Sequence, residues 1–292
     1  MNTKAVFRRV DRFRKLLDSV APAFLSLGVF LGVATVASLL VTVVSTGWHR
    51  LSWNLLTEYP SPDPNQAGMR SAFLGSLWTV GLSALICVPL GIAAALYLTE
   101  WSENKLLRRF LAFNIANLAG VPSVVFGLVG LSVLTYGLGW GRSIIAGAFT
   151  LSVMTLPLVT VSAAEAVKTV PEALKYGAYA LGATKLQVTR YIILPRALPM
   201  MMTGAILAIS RAIGEAAPIL VISGLLFIRQ DPSSIFDKFT VMPLQIFNWV
   251  SRPQAAFREL SSAAILVLLI LLLALNATAI VLRYRYQKRV TL

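Results

Sequence analysis

Long apolar segments are the feature that most constrains the fold of this chain. They cover residues 24–46, 72–98, 110–136, 143–164, 200–227 and 261–282. A helix needs about 20 predominantly apolar residues to cross the ~30 Å hydrocarbon core of a bilayer, and every segment is long enough. A secretory signal is the alternative for the first segment, but its apolar region would hold only about 7 to 15 residues. The sequence therefore predicts an all-α polytopic membrane protein with six transmembrane helices.

Lysine and arginine are distributed unevenly around these segments. With the N-terminus inside, 18 of the 26 basic residues lie in inside segments and 7 in outside connections, while Arg211 lies within a span. Basic residues are enriched in cytoplasmic loops, so both termini are predicted to be cytoplasmic, in the inner (plasma) membrane. The predicted divisions are a basic tail at 1–23, a first transmembrane helix at 24–46, a five-helix core at 72–284 and a tail at 285–292.

Several classes of site are excluded by composition. Cys87 is the only cysteine and His49 the only histidine, so the chain holds no internal disulfide and no thiolate metal site, and we expect no metal. His49 is predicted to be an interfacial residue at the end of an apolar segment. No glycine-rich loop ending in Gly-Lys-Ser/Thr occurs, so no ATP site is expected, and no enzymatic activity. Basic and aromatic residues do not interleave as in nucleic-acid-binding proteins.

The segment at 165–199, between the fourth and fifth spans, carries two helix-start signatures. Thr169 precedes Glu172 by three residues, and Thr184 precedes Gln187 by three, as in capping boxes. Gly182 lies between them and is expected to end the first helix in a left-handed conformation. Two short helices are therefore predicted here.

An apolar stripe is predicted on the first of these helices, and Pro195 is predicted to end the second. The stripe consists of Val170, Leu174, Ala178 and Leu181. It fits the groove of a partner protein, and it equally fits an amphipathic connector resting on lipid headgroups.

A charged pair lies within the fifth apolar segment. Arg211 is close to mid-bilayer when the helix begins near residue 200, and Glu215 follows one turn later. Pro218 leaves the carbonyl of Gly214 free nearby. An arginine at this depth must face protein or water. The pair is either a self-satisfied ion pair that fixes helix packing or a site on a permeation path for an oxyanion, whose geometry the guanidinium matches.

The spacing of residues in the 165–199 loop resembles the EAA loop of ABC importer permeases. Gly182 is followed after nine residues by Ile192, and then by Leu194 and Pro195. The Glu-Ala-Ala positions of the family hold Tyr176, Gly177 and Ala178, so only the last alanine agrees. The resemblance implies a type I permease fold for 72–284 and a coupling helix that enters a cleft of a separate ATPase subunit. The implied coupling residues are Glu172, Leu174, Ala178, Leu181, Gly182, Ile192, Leu194 and Pro195.

A second resemblance covers most of the chain from Trp53 onward. Residues 210–220 are similar to the RAxGETAPL segment of phosphate ABC transporter permeases of the PstA type, with Ala216 in place of the usual threonine. Residues 58–62, 118–125 and 165–194 extend the similarity. It implies phosphate as substrate, with Arg211 and Glu215 as translocation residues. The implied partners are a PstC-type sister permease in a heterodimer, a PstB-type ATPase dimer that carries ATP and magnesium, and an extracytoplasmic phosphate-binding protein.

Three other functions are compatible with the same features. A sulfate or molybdate permease of the same architecture shares the oxyanion chemistry. A proton-coupled secondary anion transporter would use Glu215 as its proton carrier and need no ATPase. A non-transporting membrane scaffold gives no reason for charges in the middle of a span.

Overall fold

The computed structural model describes the backbone of residues 3–290, with side chains from Val20 onward apart from residues 23, 279, 282 and 286–290. The basic side chains of residues 1–19 therefore lie outside the description. The α-helices are α1 (Thr3–Gly47), α2 (Asn54–Thr57), α3 (Arg70–Leu96), α4 (Lys105–Ala119), α5 (Ser123–Val129), α6 (Ile144–Lys168), α7 (Glu172–Ala180), α8 (Lys185–Gln187), α9 (Leu194–Gly214), α10 (Ala217–Ser223), α11 (Met242–Val250) and α12 (Ala255–Val290). The described residues contain no strand beyond one isolated bridge between Ser143 and Lys238, so the predicted all-α class is confirmed.

Five helical segments in the described range are long and apolar enough to cross a membrane. They are Val20–Arg50, Arg70–Trp101, Ile144–Lys168, Lys185–Gly214 and Ala255–Arg285. A sixth crossing results if α4 and the helix after it count as one span. The chain is therefore a multi-pass membrane protein, as the apolar segments predicted.

The third predicted span, residues 110–136, is not a single helix. Helix α4 and the following helical segment, Ser123–Gly137, meet at a bend of 105°. Pro122 lies at the bend, where its ring disfavours a helical conformation of Val121 and its missing N–H interrupts the hydrogen-bond ladder. The second half ends in a π-helical segment, Gly130–Gly137.

Both predicted bounds of the fifth span, residues 200–227, are wrong. The observed helix, Lys185–Gly214, is continuous, so Pro195 does not end a helix as predicted. A π-helical segment, Val188–Ile193, precedes this proline, and its wider turn accommodates a residue that cannot donate a hydrogen bond. At the other end the helix stops at Gly214, since Pro218 cannot continue the ladder, and the chain restarts as α10.

Helices α3, α6 and α9 form the centre of the bundle through close backbone contacts. A Cβ atom on Gly91 of α3 would lie 2.6 Å from a methyl carbon of Val159 on α6. A Cβ atom on Gly204 of α9 would lie 2.3 Å from the Cβ of Ser162, also on α6. Small residues allow membrane helices to approach this closely. These contacts fix α9 against α6 and so position both functional regions described below.

The two ends of the bundle are built differently. At one end, here called the loop end, α7 follows α6. At the other, here called the far end, α11 packs into a core with residues of the first long connection. Met242 and Trp249 of α11 are almost completely buried there, beside Met69 and Phe257. Helix α11 is thus part of the core.

Candidate functional site

The loop between α6 and α9 forms two helical pieces separated by a glycine. Gly182 has φ of +82°, the left-handed conformation that was predicted. Thr184 and Gln187 form a complete capping box, also as predicted. The first predicted cap is wrong, because the hydroxyl of Thr169 donates to a carbonyl in the last turn of α6, and α7 begins at Glu172 without a side-chain cap.

The predicted apolar stripe on α7 does not lie on one surface. Val170 is 3% exposed and belongs to the core at the loop end, and Ala178 packs against the same core. Leu174 is 39% exposed and Leu181 is 91% exposed. The stripe was drawn from helical spacing, but Val170 precedes the start of α7 and therefore does not follow its periodicity. The apolar surface at this end also includes Tyr176, Tyr179 and Leu186.

The continuous helical segment Lys185–Gly214 carries Ile192, Leu194 and Pro195. The side chains of Ile192 and Leu194 are partly buried against the core of the loop end, and Pro195 is exposed. Val188 and Ile193 of the same helix are completely buried in that core. The Ile-x-Leu-Pro half of the motif therefore anchors the loop to the bundle. The predicted role of these residues in coupling to an ATPase stays a prediction.

An ion pair joins α7 to the end of α3. Lys175 Nζ lies 2.5 Å from Glu100 Oε1, and the two side chains are only 14% and 15% exposed. A second, more exposed pair joins Lys185 to Glu103 at 3.5 Å, and the ammonium group of Lys185 lies 5.5 Å from the ring centroid of Trp101. No motif or spacing in the sequence predicts these contacts, because the partners lie on segments that are far apart in the chain.

Arg211 and Glu215 are in contact at the end of α9. Arg211 Nε lies 3.4 Å from Glu215 Oε1. The arginine side chain is 62% exposed, whereas that of Glu215 is 18% exposed. Leu207, Arg211 and Gly214 are exposed on one face of α9. Glu215 itself adopts an extended conformation just after the helix, so the contact spans the helix break.

Arg211 lies inside the membrane-spanning part of the bundle. Its neighbour Ser210 donates a hydrogen bond from Oγ to Asn276 Oδ1 of α12, at 2.9 Å. Asn276 lies well inside the membrane-spanning part of α12, Ala255–Arg285. Asn276 precedes Arg285 by nine residues, so Arg211 lies about 14 Å inside the Arg285 end of that span, at 1.5 Å per helical residue.

At the far end, Arg70 and Asp231 connect the two long outer segments. Arg70 donates from Nε at 2.9 Å and from Nη2 at 2.6 Å to the two carboxylate oxygens. These hydrogen bonds hold the pKa of Asp231 below its usual range. The guanidinium also lies 5.5 Å from the ring centroid of Tyr59. Among the described residues, no group of three His, Cys, Asp or Glu side chains is arranged to hold a metal ion.

The sequence has relatives of known type. Residues 87–292 match the family described as binding-protein-dependent transport system inner membrane component. The chain is 31% identical to the phosphate transport system permease protein PstA 1 of Mycobacterium tuberculosis (strain H37Rv), over 97% of this chain and 93% of that protein. It is 39% identical to the probable ABC transporter permease protein YqgH of Bacillus subtilis, over 74% of this chain and 70% of that protein.

Solved ABC transporter structures have the same fold. An inward-facing structure of the MetNI methionine ABC transporter superposes with a TM-score of 0.61 at 15% identity, covering 73% of this chain and 94% of that one. An amino acid ABC transporter superposes with a TM-score of 0.55 at 18% identity, covering 74% and 92%. The predicted type I permease fold is confirmed. With the family match over residues 87–292, these findings show that the chain belongs to the family of binding-protein-dependent transport system inner membrane components, the permease subunits of ABC importers.

Proposed function

We propose that this chain is the membrane permease subunit of an ATP-driven phosphate importer and forms half of its translocation pore. The observation that carries the proposal is the exposed Arg211 side chain inside the membrane-spanning part of the bundle. An arginine at the centre of a membrane helix costs ~2.5–3.5 kcal/mol on insertion scales, so it faces water or protein. The face of α9 that carries Leu207, Arg211 and Gly214 therefore borders a pore or a sister subunit.

Phosphate is the substrate that the residues around Arg211 support best. A guanidinium presents paired donors that match two oxygens of a tetrahedral oxyanion. Relatives that align over nearly the whole chain are named phosphate transport system permease proteins. Glu215 holds Arg211 when the pore is empty, and phosphate takes the place of Glu215 as the partner of the guanidinium during transit.

The energy for transport comes from a separate ATPase that contacts α7. The exposed side chains of Leu174, Tyr176, Tyr179 and Leu181 form an apolar surface around this short helix. Lys175 passes a displacement of α7 to α3 through Glu100. ATP and magnesium are held by the ATPase, and this chain binds no cofactor. The loop end is cytoplasmic, because 18 basic residues lie on that side against 7 on the other.

The family of the chain supports the proposed assembly. The chain lies in the inner membrane with both termini in the cytoplasm. It pairs with a PstC-type sister permease, a PstB-type ATPase dimer binds the loop end, and an extracytoplasmic phosphate-binding protein delivers substrate to the far end. This chain itself binds neither nucleic acid nor metal.

Reconstitution of the purified complex in proteoliposomes tests the substrate. ATP hydrolysis is measured with the binding protein present and phosphate, sulfate or molybdate added in turn. Stimulation by phosphate alone is expected. Stimulation by sulfate or molybdate instead would overturn the substrate assignment. Phosphate uptake by this chain alone, driven by a proton gradient and stopped by an uncoupler, would replace the proposal with a secondary transporter in which Glu215 carries the proton.

A further inference from the structure

A half-open cavity of about 850 Å³ lies at the loop end, outside the centre of the bundle. Its walls are α4 and the last turns of α6, and its floor is formed by α7 and the end of α3. Helix α4 has no buried residue in the described chain. The volume falls within the range of small-molecule pockets, roughly 300–1,000 Å³. The coupling residues Glu100, Glu172 and Lys175 border this space, but the permease function described above assigns no ligand to it.

One wall of the cavity carries cations that have no carboxylate partner. Lys105, Arg108 and Arg109 of α4 line it, and none of the three forms an ion pair with another side chain that the structure describes. Two of the carboxylates at the cavity are neutralised locally, Glu100 by Lys175 and Glu165 by Lys168. The third, Glu172, forms no ion pair with another side chain in the described part of the chain.

The position of these cations on their helix strengthens their effect. Lys105, Arg108 and Arg109 lie in the first turns of α4, which has no acidic residue in its first turn. The N-terminus of a helix carries a partial positive charge, so basic residues there add to the positive potential. The fold tolerates this arrangement without a compensating carboxylate on α4. An anion bound at this end of the cavity would provide the compensation.

The remainder of the cavity is apolar. Ala112 and Ile115 of α4 face it from one side, and Val161 and Ala164 of α6 face it from the other. A small hydrated anion such as inorganic phosphate gains nothing from such walls, because burying a charge among apolar groups is costly. A ligand with an anionic head and a hydrocarbon tail fits both parts of the cavity.

We propose that the cavity between α4 and α6 is a binding site for an anionic phospholipid of the cytoplasmic leaflet. Lys105, Arg108 and Arg109 contact the phosphodiester headgroup, and an acyl chain lies between Ala112 and Ala164. Basic pockets between membrane helices on the cytoplasmic side are suited to anionic headgroups. The assignment to this leaflet rests on the orientation given in the proposed function, whereas the contact with lipid does not depend on that orientation.

Photocrosslinking from within the cavity tests the proposal. A photoreactive phenylalanine analogue replaces Ala112 in the complete importer, which is placed in nanodiscs of phosphatidylcholine with or without phosphatidylglycerol. Mass spectrometry of the adducts is expected to show strong preference for phosphatidylglycerol. The variant with both R108Q and R109Q should lose roughly tenfold or more of that adduct. These side chains form no ion pair within the described part of the chain, so their replacement should leave the fold intact.

Controls separate the lipid from other occupants. The variant with both R283Q and R285Q removes two charges from α12, outside the cavity, and should leave the adduct unchanged. Equal adducts with both lipids, or no loss in R108Q/R109Q, would overturn the proposal. Displacement by excess inorganic phosphate would indicate a soluble-anion site, and an adduct with the sister permease would indicate a protein contact. The measurement requires neither transport nor ATP. The lipid site can therefore be disproved while the phosphate importer assignment stands, and the phosphate importer assignment can be disproved while the lipid site stands.

Discussion

Lys175 Nζ lies 2.5 Å from Glu100 Oε1, and this largely buried ion pair fastens α7 to the end of α3. The two residues are 75 positions apart in the sequence. Because α3 packs along α6 at the centre of the bundle, a displacement of α7 acts directly on the helices that carry the rest of the permease. The pair is one of the contacts that connect the exposed surface of α7 to the membrane-spanning core.

Replacement of Lys175 by methionine is expected to uncouple the ATPase from transport. Removing one partner leaves the carboxylate of Glu100 buried without its counter-ion, which costs on the order of 3 kcal/mol. Phosphate-stimulated ATP hydrolysis by the reconstituted complex should fall by roughly tenfold or more, since each 1.4 kcal/mol changes a rate or an equilibrium about tenfold.

Two further variants make this prediction specific. The reversed pair, Glu100→Lys with Lys175→Glu, should restore most of the stimulation, because the charges again attract each other. The control is Arg50→Gln, which breaks a more exposed pair with Glu259 at the far end, where such pairs contribute ~0.2–1 kcal/mol. Similar activity in Lys175→Met and Arg50→Gln would contradict the coupling role.

Gly182 and Gly177 offer a matched test of the backbone in this loop. Neither glycine has a neighbour that an added Cβ would meet, but only Gly182 has a positive φ. Gly182→Ala should destabilise the loop by about 1–2 kcal/mol, the cost of a left-handed conformation for an ordinary residue. Gly177→Ala, within α7, should be neutral or stabilising by up to about 1 kcal/mol. Hydrogen exchange of residues 172–187 measures both, and a shift in the same direction for both variants would contradict the assignment.

Gly127 holds α5 against α10. A Cβ atom at this position would lie 2.8 Å from the Cα of Pro218 and 2.9 Å from its carbonyl oxygen. Backbone atoms cannot move aside easily, so Gly127→Ala should destabilise the protein by ~1–3 kcal/mol. The matched control is Gly81→Ala on α3, where an added Cβ meets nothing within 4 Å. Thermal unfolding in detergent compares the two variants, and equal unfolding temperatures would show that the close contact is unimportant.

The Arg70–Asp231 pair predicts a specific pH dependence. Its hydrogen bonds lower the pKa of the Asp231 carboxylate in the folded state. A carboxylate with a lowered folded pKa stabilises the protein fully above its unfolded pKa of about 3.9, and this contribution is lost as the pH falls through the folded value. Asp231→Asn should therefore reduce the unfolding temperature by a constant amount between about pH 8 and about pH 5, because both pH values lie above the unfolded pKa. A difference that disappears between pH 7 and pH 5 would contradict this account.

Local signals in the sequence were sufficient for part of the structure. The capping box of Thr184 and the left-handed Gly182 depend only on residues within one turn, and both are present. Apolar length located the membrane-spanning helices. The fate of each proline depended on its surroundings, since Pro122 marks a sharp bend whereas Pro195 follows a π-helical turn inside a continuous helix.

Contacts between distant segments were beyond the sequence. The helical spacing of Val170 and Leu174 suggested one surface, but the core at the loop end buries the first and leaves the second exposed. The partner of Lys175 is on another helix, and no periodicity or motif points to Glu100. The sequence allowed two interpretations of Arg211 and Glu215, an ion pair or a pore site. In the structure the two side chains form an ion pair, and the arginine is also exposed.

Phosphate uptake by the Arg211→Gln variant tests the central claim most directly. The variant complex is reconstituted with its sister permease, ATPase and binding protein, and labelled phosphate is followed into proteoliposomes, with Arg283→Gln as the control for loss of one charge. We expect uptake to fall to background in Arg211→Gln, with the subunit composition unchanged, because the anion loses the compensating charge that Arg211 provides inside the membrane. Uptake at the wild-type rate in an intact Arg211→Gln complex would contradict the account.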